Sequence, residues 1–190
     1  YRGAITNNNV FFANHCWKMV RTTENGGIKL LYNGTPSNGQ CTNTEGKDTK
    51  IGNSEYYDSA QFYGYMNGIE NSKVKETIDT WYRDNILDFS EYLEDAVWCS
   101  DLTLNDDQTE YEVYVRYYRK VAPPLIKVEE MCPNKEDRYT VNDVIKGNGK
   151  LIYPIALLTP EEAILGGLMR TLYDSKEAPS YLQNGEVYWL

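Results

Sequence analysis

His15-Cys16-Trp17-Lys18-Met19-Val20-Arg21-Thr22-Thr23, then Glu24-Asn25-Gly26-Gly27, then Ile28-Lys29-Leu30-Leu31-Tyr32: this stretch carries the clearest local structure in the chain. Two runs rich in β-branched, aromatic and aliphatic residues flank an Asn-Gly step. Asn-Gly favours the positive φ angles of a type I′ turn, so the pair reads as a β-hairpin. A turn centred there pairs Val20 with Leu31, Met19 with Tyr32 and Arg21 with Leu30. Trp17, Met19, Ile28, Leu30 and Tyr32 then share the face that packs on the core. Val10-Phe11-Phe12-Ala13 precedes the hairpin and reads as a third strand of the same meander.

Outward from the hairpin the pattern changes. Residues 34–53 are Gly-, Asn-, Thr- and Ser-rich and lack apolar anchors, which marks a long loop. From Ser72 the period becomes helical: Ser72 is a good N-cap, Glu76 lies in the first turn, and Val74, Ile78, Trp81, Tyr82 and Ile86 form one stripe. A short second helix is expected around Phe89–Leu93, then a short strand or turn at Ala96-Val97-Trp98-Cys99. Thr109–Val121 alternates with period two until Pro123-Pro124 ends it. Lys146-Gly147-Asn148-Gly149 reads as a turn. Thr159-Pro160-Glu161-Glu162 has a threonine cap, a proline at the first helical position and a glutamate at the third, so a helix should run from there to about Met169 or Arg170. The wholly apolar end, Val187-Tyr188-Trp189-Leu190, reads as an interior strand cut in mid-sheet, which a partner chain or a continuation would complete. These elements specify an α+β fold: an antiparallel sheet with an N-terminal hairpin, two main helices packed on it, and long loops.

The cysteines fix the compartment. Cys16, Cys41, Cys99 and Cys132 lack the close spacing of zinc hooks, and His15 is the only histidine. An even number in a polar, acidic chain points to two disulfides and an oxidising location, outside the cytoplasm or on the cell surface. Of the three possible connectivities, Cys16–Cys41 with Cys99–Cys132 closes the smaller loops. No leader-like segment is present, as expected of a mature or trimmed chain.

Composition narrows the partners. With 19 basic and 28 acidic residues the 190-residue chain carries a net charge of −9 and no local basic patch, which disfavours nucleic acid and anionic membrane surfaces. No apolar run is long enough to span a bilayer. The length fits one domain over residues 1–190, incomplete at its C-terminus, with residues 105–130 as an inserted segment. Tyrosine, at 17 copies against 4 each of Phe and Trp, suits half-buried strands and also recognition surfaces.

Catalytic patterns are weak. His15 and Cys16 are neighbours on a strand and point to opposite faces, so they cannot share a proton. Asp106-Asp107 and Glu129-Glu130 read as solvated acid pairs rather than a glycosidase dyad. In Asp101–Glu112, oxygen-bearing residues fall at relative positions 1, 3, 5, 9 and 12 of an EF-hand loop. Asp106 stands where that loop needs glycine, and the flanks are not helical, so no metal site is assigned. No catalytic residue and no cofactor is expected. In the inserted segment Tyr114, Arg116 and Tyr118 alternate outward and are the candidate ligand-binding residues.

Several phrases in order carry a resemblance: Arg2-Gly3-Ala4; Cys16-Trp17-Lys18-Met19-Val20-Arg21; Ile28-Lys29-Leu30-Leu31-Tyr32-Asn33-Gly34; Gly64-Tyr65-Met66-Asn67-Gly68; Asp79-Thr80-Trp81-Tyr82; Trp98-Cys99-Ser100-Asp101; Cys132-Pro133; Gly147-Asn148-Gly149-Lys150-Leu151; Tyr153-Pro154-Ile155; and Leu158-Thr159 with Glu162. Together they resemble a group of uncharacterised surface and secreted proteins of Gram-positive gut bacteria, over nearly the whole chain except about residues 105–130. The resemblance implies an adhesin-type displayed module and, more remotely, the C-type-lectin-like fold of formylglycine-generating enzymes. Family members continue past the phrase matched by Tyr188-Trp189 into a Gly- and Tyr-rich stretch. This chain stops there.

The expected function is a secreted or surface-displayed, non-catalytic recognition module binding a glycan or a protein. An extracellular hydrolase working through carboxylates is the first alternative. A structural surface or filament subunit completed by strand addition is the second.

Overall fold

The computed structural model describes residues 3–41, 49–52, 73–100, 104, 106–108, 132–167 and 180–182. They are mixed α and β, with antiparallel sheets, two α-helices and two disulfides. The chain divides into two compact units: Tyr1–Lys50 with Leu158–Leu190, and Ile51–Leu157.

The first unit is built on the meander. β1 (Asn9–Phe12), β2 (His15–Thr22) and β3 (Ile28–Tyr32) form an antiparallel sheet in that order. The tight two-residue turn lies between β1 and β2: Phe12 faces His15, and the intervening Ala13 and Asn14 both have positive φ, 51° and 62°. Two positive angles match the right-handed twist of a hairpin, which is the requirement that Asn25-Gly26 was expected to meet. At that step only Gly26 is left-handed (φ 87°). Thr22 faces Ile28, and Thr23 N donates to Gly27 O at 2.9 Å, so a longer loop closes the second hairpin.

That longer loop and a bulge at Val20 change the expected register. Trp17 faces Tyr32, Lys18 faces Leu31 and Met19 faces Leu30, after which the pairing slips so that Arg21 faces Lys29. An extra residue on one strand re-aims the side chains beyond it. Trp17, Met19, Leu30 and Tyr32 still share a face, and the Trp17 and Tyr32 rings meet edge-on at 5.5 Å. Ile28, expected on that face, is 53% exposed at the strand's start, and Lys29, on the opposite face, is buried. Asn8 lengthens the sheet by accepting from Met19 N at 2.8 Å through its carbonyl. Cys16 does the same at the far end, exchanging backbone bonds with Asn33 and Gly34 at 2.8 Å each. The Cys16–Cys41 disulfide (Cα–Cα 5.4 Å) ties the following loop to β2.

The unit's helix is α2 (Pro160–Leu165). Its start is a capping box: Glu162 N donates to Thr159 Oγ1 at 3.2 Å, and Thr159 N donates to Glu162 Oε2 at 3.1 Å. It ends earlier than the expected Met169 or Arg170, at Gly166-Gly167, where Gly167 takes φ 95°. Gly3 N and Ser180 Oγ both donate to Gly166 O, at 3.1 and 2.8 Å, and close the end.

In the second unit α1 (Lys73–Asn85) buries Val74, Ile78 and Tyr82, as the apolar stripe requires, together with Lys75 and Asp79, and Ile86 is buried just beyond its end. A 3₁₀ turn, Leu87–Tyr92, follows where the short second helix was expected. Tyr82 stacks on Tyr153 with ring centroids 4.7 Å apart. β4 (Trp98–Cys99) pairs antiparallel with β5 (Arg138–Tyr139), preceded by a 3₁₀ turn at Lys135–Asp137. The Cys99–Cys132 disulfide (Cα–Cα 5.8 Å) lies beside this pair and packs with Val97.

Candidate functional site: a bonded loop with an apolar tip

β5 leads into a loop, Thr140–Leu151, where the chain's sequence signalled only a Gly-Asn-Gly turn. Its backbone is held from three directions. Asp95, just before β4, accepts three consecutive amides: Val141 N on Oδ1 at 2.7 Å, and Asn142 N and Asp143 N on Oδ2 at 2.7 and 2.9 Å. A carboxylate accepting successive N–H groups occupies a backbone nest, the geometry that binds anions. Asp143 repeats the device locally, accepting Ile145 N and Lys146 N at 2.8 Å each, and these bonds hold its carboxyl below the usual carboxylate value. Thr140 Oγ1 donates to Asp143 O at 2.7 Å and accepts Gly149 N at 3.0 Å, bracing the loop across its middle.

Close packing completes the brace. A Cβ at Gly147 would lie 2.5 Å from Thr140 Oγ1 and 2.7 Å from Arg138 O, so only glycine fits there. Asn148 N donates to Arg138 O at 2.8 Å, its Nδ2 to Glu136 O at 2.7 Å, and Leu151 N to Thr140 O at 2.9 Å. Beneath the loop, burial and the nearby Asp137 and Glu136 charges push the Tyr139 hydroxyl up to about 12, which keeps it protonated.

What this framework displays is apolar. Val144 is 63% exposed and Ile145 86%, adjacent at the loop's outer turn. Lys135 Nζ donates to Val144 O at 2.5 Å, so even the carbonyl at the tip is satisfied. Isolated surface aliphatics are ordinary. Here two neighbours project together from a heavily hydrogen-bonded backbone.

The buried charges of the first unit are arranged differently. Glu162 is 2% exposed and accepts Lys29 Nζ on both oxygens (2.8 and 2.7 Å) and Arg21 Nε at 2.8 Å. Burial would raise its carboxyl. The Lys29 and Arg21 charges and their hydrogen bonds outweigh that and hold it down at about 2. Arg21 also meets Glu24 at 3.2 Å nearer the surface. In α1 of the second unit Lys75 Nζ pairs with Asp79 Oδ1 one turn on, both side chains buried. Burial lowers the lysine and raises the aspartate, each against the pull of its partner.

The residues singled out from sequence are distributed as follows. Cys16 and Cys41 are bonded to each other, and so are Cys99 and Cys132. Tyr114, Arg116 and Tyr118, most of the Asp101–Glu112 loop and the Val187–Leu190 end lie outside the described residues. His15 packs edge-on against Trp17 and Tyr32 (6.4 and 5.6 Å), and burial lowers its pKa. Among the described residues no group of three His, Cys, Asp or Glu side chains is placed to hold a metal ion, and no helix is long and apolar enough to cross a membrane. Sequence reading missed Asp95, Thr140, Val144 and Ile145. The one available signal was the Gly147-Asn148-Gly149 run beside two aliphatics. No protein-family model, curated protein or solved structure matches this chain.

Proposed function

We propose that the protein is a secreted or surface-displayed recognition module and that the Thr140–Leu151 loop is a contact element for a protein ligand. The observation that carries this reading is the pairing of a heavily hydrogen-bonded backbone with two exposed aliphatic side chains at its turn. A pre-organised loop loses little conformational entropy on binding, so apolar burial at its tip converts efficiently into affinity. Burying one such side chain contributes about 1.5–3 kcal/mol. Aliphatic groups on a satisfied backbone favour a protein pocket over a sugar, which needs ring faces and free donors. The two disulfides support an oxidising location.

The hydrolase alternative has less support. A glycosidase acid needs a carboxyl raised toward neutrality beside a cleft. Glu162 moves the opposite way, Asp95 accepts backbone amides, and Asp79, which burial raises, is held by Lys75 within α1.

The test is binding of the purified, oxidised protein to an array of immobilised mucus and matrix proteins, with a glycan array in parallel. The reading expects saturable binding to a protein that the Val144→Asp/Ile145→Glu double variant loses without loss of fold. Unchanged binding by that variant, binding to glycans alone, or turnover of a polysaccharide or peptide substrate would sink it.

A further inference from the structure

Asn25, Asn33, Asn38, Asn67, Asn148 and Asn184 each stand immediately before a glycine. At such a step the glycine amide nitrogen can attack the asparagine Cγ. The N–Cγ bond forms, the Cγ–Nδ2 bond breaks and ammonia leaves, giving a succinimide. Water then opens either carbonyl and yields aspartate or isoaspartate. The reaction requires a solvated, unengaged glycine N–H and an asparagine side chain free to reach it. The structure separates the described sites on that requirement.

Asn148 is fully engaged. Its Nδ2 donates to Glu136 O at 2.7 Å, its Oδ1 accepts Lys150 N at 3.0 Å, and the would-be nucleophile, Gly149 N, donates to Thr140 Oγ1 at 3.0 Å. At Asn25 the nucleophile, Gly26 N, donates to Thr23 O at 3.2 Å. Gly34 is buried beside β2, and Asn33 N and Gly34 O both bond Cys16.

Asn38-Gly39 is the opposite case. The step caps a small turn in which Ser37 and Gln40 exchange backbone bonds at 3.0 Å each. Asn38 and Gly39 are both exposed, with φ 51° and 73°. Among the described residues nothing bonds the Asn38 side chain or Gly39 N. A Cβ added at Gly39 would meet no atom within 4 Å.

We propose that Asn38 is a self-modification site: in the folded protein it deamidates through attack by Gly39 N, while Asn148 is preserved. The product places a new carboxylate, and in the isoaspartyl form an extra backbone methylene, three residues before Cys41 of the first disulfide. It adds negative charge to a chain already at −9.

The experiment is a time-resolved peptide map of the folded, disulfide-intact protein held at mildly alkaline pH and body temperature, able to resolve aspartate from isoaspartate. The Asn38 peptide is expected to gain the amide-to-acid mass difference and to split into the two isomers. Asn148 should lag by about a hundredfold, since three hydrogen bonds must open first and each holds its atoms by roughly fivefold. In reduced, denatured protein the two sites should convert at similar rates, and Thr140→Val in the folded protein should speed Asn148 alone. Conversion of Asn148 as fast as Asn38 in the folded protein would overturn the proposal. So would an inert Asn38 there.

Discussion

Replacing Glu162 with glutamine tests the buried ion cluster directly. The substitution preserves size and leaves an oxygen for Thr159 N, so the capping bond survives and the lost charge is the main change. Lys29 is then a buried ammonium without its counter-ion, since both Glu162 oxygens served it. Removing one member of a buried pair costs about 3–5 kcal/mol, because the other remains buried and uncompensated. The pH dependence gives an independent figure. A carboxyl ordinarily near 4.5 and held at about 2 contributes about 3 kcal/mol of stability at neutral pH. The folded value is depressed, so this contribution is complete above about pH 4.5 and is lost as pH falls toward 2. Glu162→Gln should therefore lose about 3 kcal/mol at pH 7 and should lack that acid limb. It should also gain stability as pH rises toward the ordinary lysine value of 10.5, because burial already lowers Lys29 and the folded variant sheds that proton before the unfolded chain does. The assay is denaturant unfolding with disulfides intact, from pH 2 to 10, for both proteins. A loss under about 1 kcal/mol at pH 7, or an acid limb equally steep in both, would refute the account.

Reduction or paired Cys→Ser replacement of Cys99–Cys132 should cost about 3–4 kcal/mol in the chain-entropy model, and Cys16–Cys41 about the same, measured as shifts in unfolding free energy. Gly147→Ala places a methyl against Thr140 and the Arg138 carbonyl, so it should destabilise by about 1–3 kcal/mol; backbone cannot move aside as a flexible side chain can. Asp95→Ala should raise amide hydrogen exchange at Val141, Asn142 and Asp143 together, since each donates to that one carboxylate.

Legibility followed sequence distance. The capping box at Thr159 and Glu162 spans three residues, and its chemistry is written in the residue types. The meander was visible because alternation and turn residues are local. Its register was not. A bulge at Val20 shows only when the strands are paired, and from there on Arg21 faces Lys29 and Thr22 faces Ile28. The Lys29–Glu162 bond joins residues 133 apart, and nothing near either one marks the other. The buried pair Lys75 and Asp79 carries no sequence signal, because one-turn spacing looks the same on either face of a helix. The loop was seen as a turn and its tip was overlooked, because its organising carboxylate, Asp95, stands 46–48 residues upstream. The candidate ligand residues Tyr114, Arg116 and Tyr118, proposed from their alternation and their place in the inserted segment, lie outside the described residues.

That distance between Asp95 and its three amides has a practical meaning for anyone who would transplant the tip. A peptide covering residues 140–151 carries Val144, Ile145 and the local Asp143 and Thr140 bonds, but leaves behind the anion that gathers the first turn. Its shape is borrowed from a residue that arrives from elsewhere in the chain, so it forms only once long-range contacts have formed. Grafted onto another scaffold, the segment would need a carboxylate supplied at the same place, or it would present the right side chains on the wrong curve.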